Sequence, residues 1–451
     1  MKRLVLVLAV LPAAVAFAGA LDQGNIAVIQ DTNGNIHNAG TNPLDAMQVH
    51  FCRETAKVFF QTHPDQFDGL VTFTPKQLST FDNIQQGTPV KLDAQGLGYT
   101  SSWNFTSQYG SAGKLGQCVF MGSLPTLPNS PDSYVPGPFG VPFGLTGVEL
   151  VGHEYGHHWL MGTNFDLGDN VGPRDFIRGY ENDAPNLHYS AYADSHSVMY
   201  GSFITDNGNG SFTLNGGDRK YNELDQYLMG LRASSEVSPM MVIDDGSGQG
   251  SPAIAAQKGS TRTINGTRYD VTIADIIRAS GQRNPDVTTA QHCWRVAFVL
   301  VTEGNNLPTA ADVQKLESYR ARFTNWFTWA TDGRGTMDTR LVGSGCSNAP
   351  VTSPDGGVVD AGTQSHPHDA GVSNDAGSGE IPDELQDAGQ PGDTGTQGEP
   401  GEPGDEEIPP AYNHDNIGTL KPGCGCDAGG GASILFVLGA ALLRRRRNAG
   451  G

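Results

Sequence analysis

Residues 21–346 predict an α+β domain, and three observations carry that prediction. Helix-start signals recur: Thr146 with Glu149 three residues on, and Thr309 with Asp312. Each pair sets side-chain acceptors where a first helical turn leaves its amides unpaired. Short apolar runs of strand length stand apart from these helices, at 70–73 and at Val119-Phe120-Met121. No segment repeats at a fixed period, so a solenoid is not indicated.

Taken in order, the chain opens with a secretory signal over residues 1–20. Lys2 and Arg3 supply the charged start, an apolar stretch follows to Val15, and Ala16-Phe17-Ala18 and Ala18-Gly19-Ala20 offer small-x-small cleavage sites. Pro12 interrupts the apolar run, which is too short for a membrane span. Export makes the cysteines legible. Cys52, Cys118, Cys293 and Cys346 lack the close spacing of a metal knuckle and read as two disulfides, with three pairings open.

Residues 46–61 read as a helix leading into the strand at 70–73, and residues 118–124 as a strand lining a substrate cleft. Near the end of the domain, Val313, Leu316, Phe323 and Phe327 keep helical spacing behind the Thr309 cap. Asp206-Asn-Gly-Asn-Gly210 opens like a calcium loop, but Gly217 stands where the closing Glu would be. A hairpin turn is the favoured reading there, with structural Ca2+ as the minor alternative.

The net charge of −20 is concentrated in one stretch: residues 351–423 hold fifteen acids and one lysine, −14 of the total. The remainder is ordinary for a soluble domain, and no basic patch suggests nucleic acid. Residues 347–423 are rich in Gly, Pro and acids and poor in aromatics, a composition that cannot offset its ordering entropy. They are expected to form a disordered, extended stalk. Residues 424–451 then carry Cys424-Gly-Cys426, an uncharged segment over 428–443 and four arginines at 444–447. Sixteen residues of helix span about 24 Å, against a hydrocarbon core of ~30 Å, so a short transmembrane helix with a cytoplasmic basic end is expected.

The chemistry lies in His153-Glu154-Tyr155-Gly156-His157. Four residues apart on a helix, the two imidazoles project from one face toward one point, as zinc ligands do. Glu154 stands beside them, placed to accept a proton from water held at the metal. A third protein ligand is needed. The metzincin extension fails here, because Leu160 and Thr163 replace its Gly and His. Ser197-Val198-Met199-Tyr200 nonetheless looks like a Met-turn, and Met199 reads as core beneath the site. The acids of Tyr221-Asn222-Glu223-Leu224-Asp225 are the candidates for third ligand. On a helix extending to Leu231, Asp225 lies nearer the apolar stripe than Glu223, and a carboxylate there needs a partner to offset desolvation. His188, and after it Tyr189, are candidate hydrogen-bond donors to the developing oxyanion.

Two resemblances follow from these motifs. HEYGHHW, the run HYSAYADSHSVMYG from His188, and YNELDQYLMGL resemble a family of bacterial secreted proteins with zincin-type HExxH sites. The likeness extends from Gly122 to the Thr309 helix. It implies a zincin-like metallopeptidase domain of the gluzincin or aspzincin kind, with Zn2+ as cofactor, a protein or peptide as substrate and Asp225 at the family's acidic ligand position. Asn222-Glu223 also mimics the ligand pair of thermolysin-like enzymes, which keeps Glu223 open. The tail resembles MYXO-CTERM sorting tails of myxobacterial surface proteins, which implies a sorting protease acting near Cys424 or Cys426 and retention at the cell surface or outer membrane. Two other functions share the motif: hydrolysis of non-peptide amide bonds in cell-wall or glycan material, and a non-catalytic adhesin on the same fold. The intact His-Glu-His triplet argues against the adhesin.

Overall fold

The computed structural model describes residues 21–38, 47–76, 85–99, 101–136, 142–181, 184–247, 258–343, 346 and 424–426. The expected signal peptide, the expected acidic stalk and the apolar segment at 428–443 lie outside them. Among the described residues no helix is long and apolar enough to cross a membrane.

The fold is mixed α and β. Its centre is a seven-stranded sheet of β1 (Ile26–Asp31), β2 (Gly69–Thr74), β3 (Gln85–Pro89), β4 (Gln117–Ser123), β5 (Cys293–Glu303), β6 (Thr336–Asp338) and β7 (Cys424–Cys426). The strand order is β1-β5-β2-β4-β3-β7, with β6 also paired to β5. Strands β1, β5, β2 and β4 run parallel, and β3 joins β4 antiparallel. Strand β5 reads CWRVAFVLVTE and is buried along ten of its eleven positions, as a strand covered on both faces must be. Strand β7 pairs antiparallel with Gln85, Gln86 and Gly87 of β3.

Two apolar layers flank the sheet. On one face lies α1 (Met47–Thr62), whose Phe51, Cys52, Ala56 and Phe59 pack with Leu70, Phe120 and Val299. On the other lie α2 (Gly147–Gly156) and α5 (Ala310–Ala330), with the short helices α3 (Glu223–Leu228) and α4 (Ile273–Ser280) between them in the chain. Tyr155 of α2 meets Phe323 and Phe327 of α5 edge-on. The helices at 46–61 and after Thr309, and the strands at 70–73 and 119–121, thus appear where the sequence put them. Both expected capping boxes form: Thr146 Oγ1 accepts from the Glu149 amide, and Thr309 does the same for Asp312.

Disulfides join Cys52 to Cys118, tying α1 to β4, and Cys293 to Cys346. The hairpin favoured at 206–210 is present, between Phe203–Gly208 and Ser211–Asn215. Asn209 and Gly210 both take positive φ, 54° and 73°, as a type I′ turn requires. Asp206 is occupied by the Gly208 amide and by Arg268. The helix expected over 221–231 is shorter: α3 runs only from Glu223 to Leu228, and Gly230 leaves the helical region with φ 80°.

Candidate metal centre

Helix α2 begins at the Thr146–Glu149 box and carries His153 and Glu154 in its last turn, with His157 as its C-cap. His153 and His157 therefore project from one face of the helix end. His188 arrives from a different element, the end of the strand Ala184–Tyr189. The three imidazoles converge. Ring centroids lie 4.9 Å apart for His153–His157, 5.0 Å for His153–His188 and 4.9 Å for His157–His188. One ligand nitrogen from each lies within 4.8 Å of the others, and all three residues are buried. Among the described residues, this group can hold a metal ion.

Its chemistry fits a cation rather than a set of internally satisfied histidines. His153 Nδ1 lies 2.8 Å from the carbonyl of Val198. A carbonyl only accepts, so Nδ1 carries the proton and Nε2 presents a lone pair. A histidine that binds metal through one ring nitrogen usually donates from the other to a carbonyl or carboxylate in this way. His188 Nε2 sits 3.1 Å from His153 Nε2. Two imidazoles on one tetrahedral ion at 2.0–2.1 Å would place their nitrogens about 3.3 Å apart. His157 is the clearest witness: both of its ring nitrogens are buried with no hydrogen-bond partner, a state that proteins rarely leave uncompensated.

Electrostatics agree. Burial pulls His153 from 6.5 down to about 4. Burial, and then the neighbouring histidines, holds His157 well below its usual range, and burial followed by His153 does the same for His188. At neutral pH all three are neutral, the form in which imidazole binds metal.

Glu154 is fully buried. Its Oε2 accepts the backbone amide of Gly87 on β3 at 2.8 Å, and its carbonyl accepts Gln117 Nε2 at 2.8 Å. A Cβ at position 87 would come within 2.1 Å of the Glu154 carbonyl oxygen, so only glycine allows this approach. The neighbour of the candidate base is therefore β3. Strand β4, expected to line a cleft, has β2 and β3 on its two sides and offers no open edge for a bound chain.

Neither acid joins the cluster. Asp225 is fully buried as its position on the apolar stripe suggested, but its partners are protein groups. Oδ2 accepts Ser197 Oγ at 2.5 Å and the Asn222 amide at 3.0 Å, while Oδ1 accepts the Tyr189 hydroxyl at 3.0 Å. Burial pushes its carboxyl up to about 6. Glu223 faces outward, accepting the Ser238 amide at 2.7 Å, with Arg232 at 3.6 Å. Tyr189, expected at the oxyanion, spends its hydroxyl on Asp225 instead. His188, expected as a donor to that oxyanion, is the third member of the histidine group that can hold a metal ion.

Met199 lies beneath the site as expected: it is fully buried, and a Cβ on Gly156 would come within 2.7 Å of its Sδ. The next residue was not anticipated. Tyr200 has φ 74°, unusual for an aromatic residue, and its ring covers His153 at 4.5 Å and His188 at 4.6 Å. Arg219, also unanticipated, is fully buried and donates to the carbonyls of Ser197, Tyr200 and Gly201. No motif marks it; a lone arginine in GGDRK reads as surface. No protein-family model, no curated protein and no solved structure matches this chain.

Proposed function

We propose that this chain is an exported zinc-dependent endopeptidase on a zincin-like fold, retained at a bacterial cell surface by its C-terminal tail. The observation that carries the reading is the buried group His153, His157 and His188, the first two on the helix that also bears Glu154, with neither ring nitrogen of His157 hydrogen-bonded. Three neutral imidazoles suit Zn2+, which when bound supplies a Lewis acid that polarises a carbonyl and acidifies water.

The chain's own residues then have distinct parts. His153, His157 and His188 hold the ion, and the Val198 carbonyl fixes the tautomer of His153. Glu154 accepts the proton of the attacking water; the Gly87 amide on Oε2 favours its ionised form. Tyr200 walls the site against His153 and His188. Export and anchoring rest on the residue patterns at 1–20 and 424–451, and a sorting protease acting near Cys424 or Cys426 belongs to the same reading.

Purified full-length protein, incubated with a denatured protein mixture with and without a chelator, tests the activity. Chelator-sensitive cleavage at a zinc content near one per chain is the expected result. An intact mixture together with release of amines from cell-wall material would favour the non-peptide amide hydrolase. Zinc-free protein would remove both readings. Deletion of 424–451 is expected to send the protein into the medium.

A further inference from the structure

The metal group is built from two elements, α2 and the strand that ends at Tyr189, and something must hold them in register. The segment Ser195–Gly201 does so for His153, because its Val198 carbonyl receives Nδ1. That segment makes few regular ladder contacts. Its shape is imposed by side chains around it. Arg219 binds three of its carbonyls, and Asn222 Nδ2 donates to a fourth, that of Ser195, at 2.8 Å. Ser195 Oγ donates to the Tyr200 carbonyl at 2.6 Å, which pins the positive φ of Tyr200.

Asp225 is where this segment and the His188 strand meet. One carboxylate oxygen takes Ser197 Oγ, one residue before Val198, and the other takes the Tyr189 hydroxyl, one residue after His188. Ser197 Oγ in turn accepts the Met199 amide at 2.9 Å, and the Tyr189 amide donates to the Met199 carbonyl at 2.9 Å. Arg219 ties the same assembly to α2, since its amide donates to Glu149 Oε1 at 3.0 Å, one turn before His153.

We infer that Asp225 is a positioning residue of the metal centre, acting with Arg219 through Ser197 and Tyr189 to set the angle between His153 and His188 without binding the ion. Resting on the zinc reading above, it assigns a residue whose removal loosens the site rather than emptying it. Outer-shell partners of this kind typically change metal affinity by 10–100-fold.

The test uses full-length protein and Zn2+ alone, with affinity read by competition against a chromophoric chelator, and the visible spectrum of the Co2+-substituted protein as a second readout. Asp225→Ala is expected to bind Zn2+ 10–100-fold more weakly and to change the Co2+ spectrum, while Asp225→Asn recovers most of both. An asparagine keeps an acceptor for Ser197 and the Asn222 amide, and the Tyr189 hydroxyl can turn to accept its amide. Should Asp225→Ala not fold, Ser197→Ala and Tyr189→Phe each remove one donor and carry the same readouts. Unchanged affinity and spectrum in the folded variants overturn the inference. Loss of zinc as complete as in His153→Ala overturns it too, by making Asp225 a ligand. Failure of wild-type protein to bind zinc is a different result: it strikes the zinc reading itself.

Discussion

The amide of Gly87 and Oε2 of Glu154 lie 2.8 Å apart, joining the antiparallel strand of the sheet to the helix that carries the histidines. This bond fixes the carboxylate without using a side chain, and it exists only because position 87 has no Cβ.

Gly87→Ala should therefore act on Glu154 rather than on the ligands. A methyl group within 2.1 Å of the Glu154 carbonyl must push β3 and α2 apart. Overpacking of this kind costs about 1–3 kcal/mol. The expected outcome is a lower thermal midpoint and a large loss of kcat/KM with zinc content near that of the wild type. A variant with unchanged turnover would show that the β3–Glu154 contact is incidental.

Glu154→Gln separates chemistry from metal binding more sharply. The three histidines are untouched, so zinc should remain, while loss of the proton acceptor should reduce turnover by about 10²–10⁴-fold. Metal content and peptide cleavage measured on one preparation decide this.

The third ligand is tested by His188→Ala against Glu223→Ala. Removing His188 leaves two histidines, and affinity should fall by orders of magnitude. Glu223 sits at the surface on Ser238 and Arg232, and its loss should cost at most about 1 kcal/mol of stability and no zinc. Zinc-free Glu223→Ala would return the site to the acidic-ligand arrangement.

The metal-free protein should lose stability in mild acid. His153 titrates at about 4 when folded, against 6.5 as a free side chain. Between those values the unfolded chain binds the proton and the folded chain does not, so the His153 contribution to stability falls as pH drops from 6.5 to about 4 and changes no further below it. For His153 alone the fall amounts to about 3 kcal/mol; His157 and His188 shift in the same direction. Urea midpoints of chelated protein across this range would check it. Asp225, whose carboxyl is raised to about 6, adds stability as pH falls through the same range and offsets part of this; a flat profile in Asp225→Asn would mean that the histidines are more hydrated than their burial implies.

Legibility in the sequence followed the range of the interaction. The α2 and α5 starts were readable because a capping box is a contact between residues three apart, and His153–Glu154–His157 because ligand geometry on one helix is a spacing. His188 reaches the same point from a strand, and no spacing rule links it to the helix; tertiary placement alone makes it a ligand candidate. Asp225 shows the intermediate case. Its burial was readable from the apolar stripe, but a buried carboxylate needs only some partner, and hydroxyls at Ser197 and Tyr189 serve as well as a cation. Arg219 left no trace at all, since its acceptors are backbone carbonyls, which every residue has.

The Cys293–Cys346 bridge has a mechanical meaning for a protein pulled from its C-terminal side. It closes a covalent loop that contains α5 and β6. Once β7 has been drawn off β3, traction reaching Cys346 therefore bypasses α5 and arrives at Cys293, the first residue of β5, which parallel neighbours clamp along its length. Unpeeling from the chain end, the cheapest way to open a fold under tension, cannot begin there while the bridge is intact. Helix α5, on which Tyr155 and hence the histidine-bearing helix rest, stays unloaded. Reduction would convert the same pull into one that detaches β6 and then strips α5, taking the floor from under the three histidines.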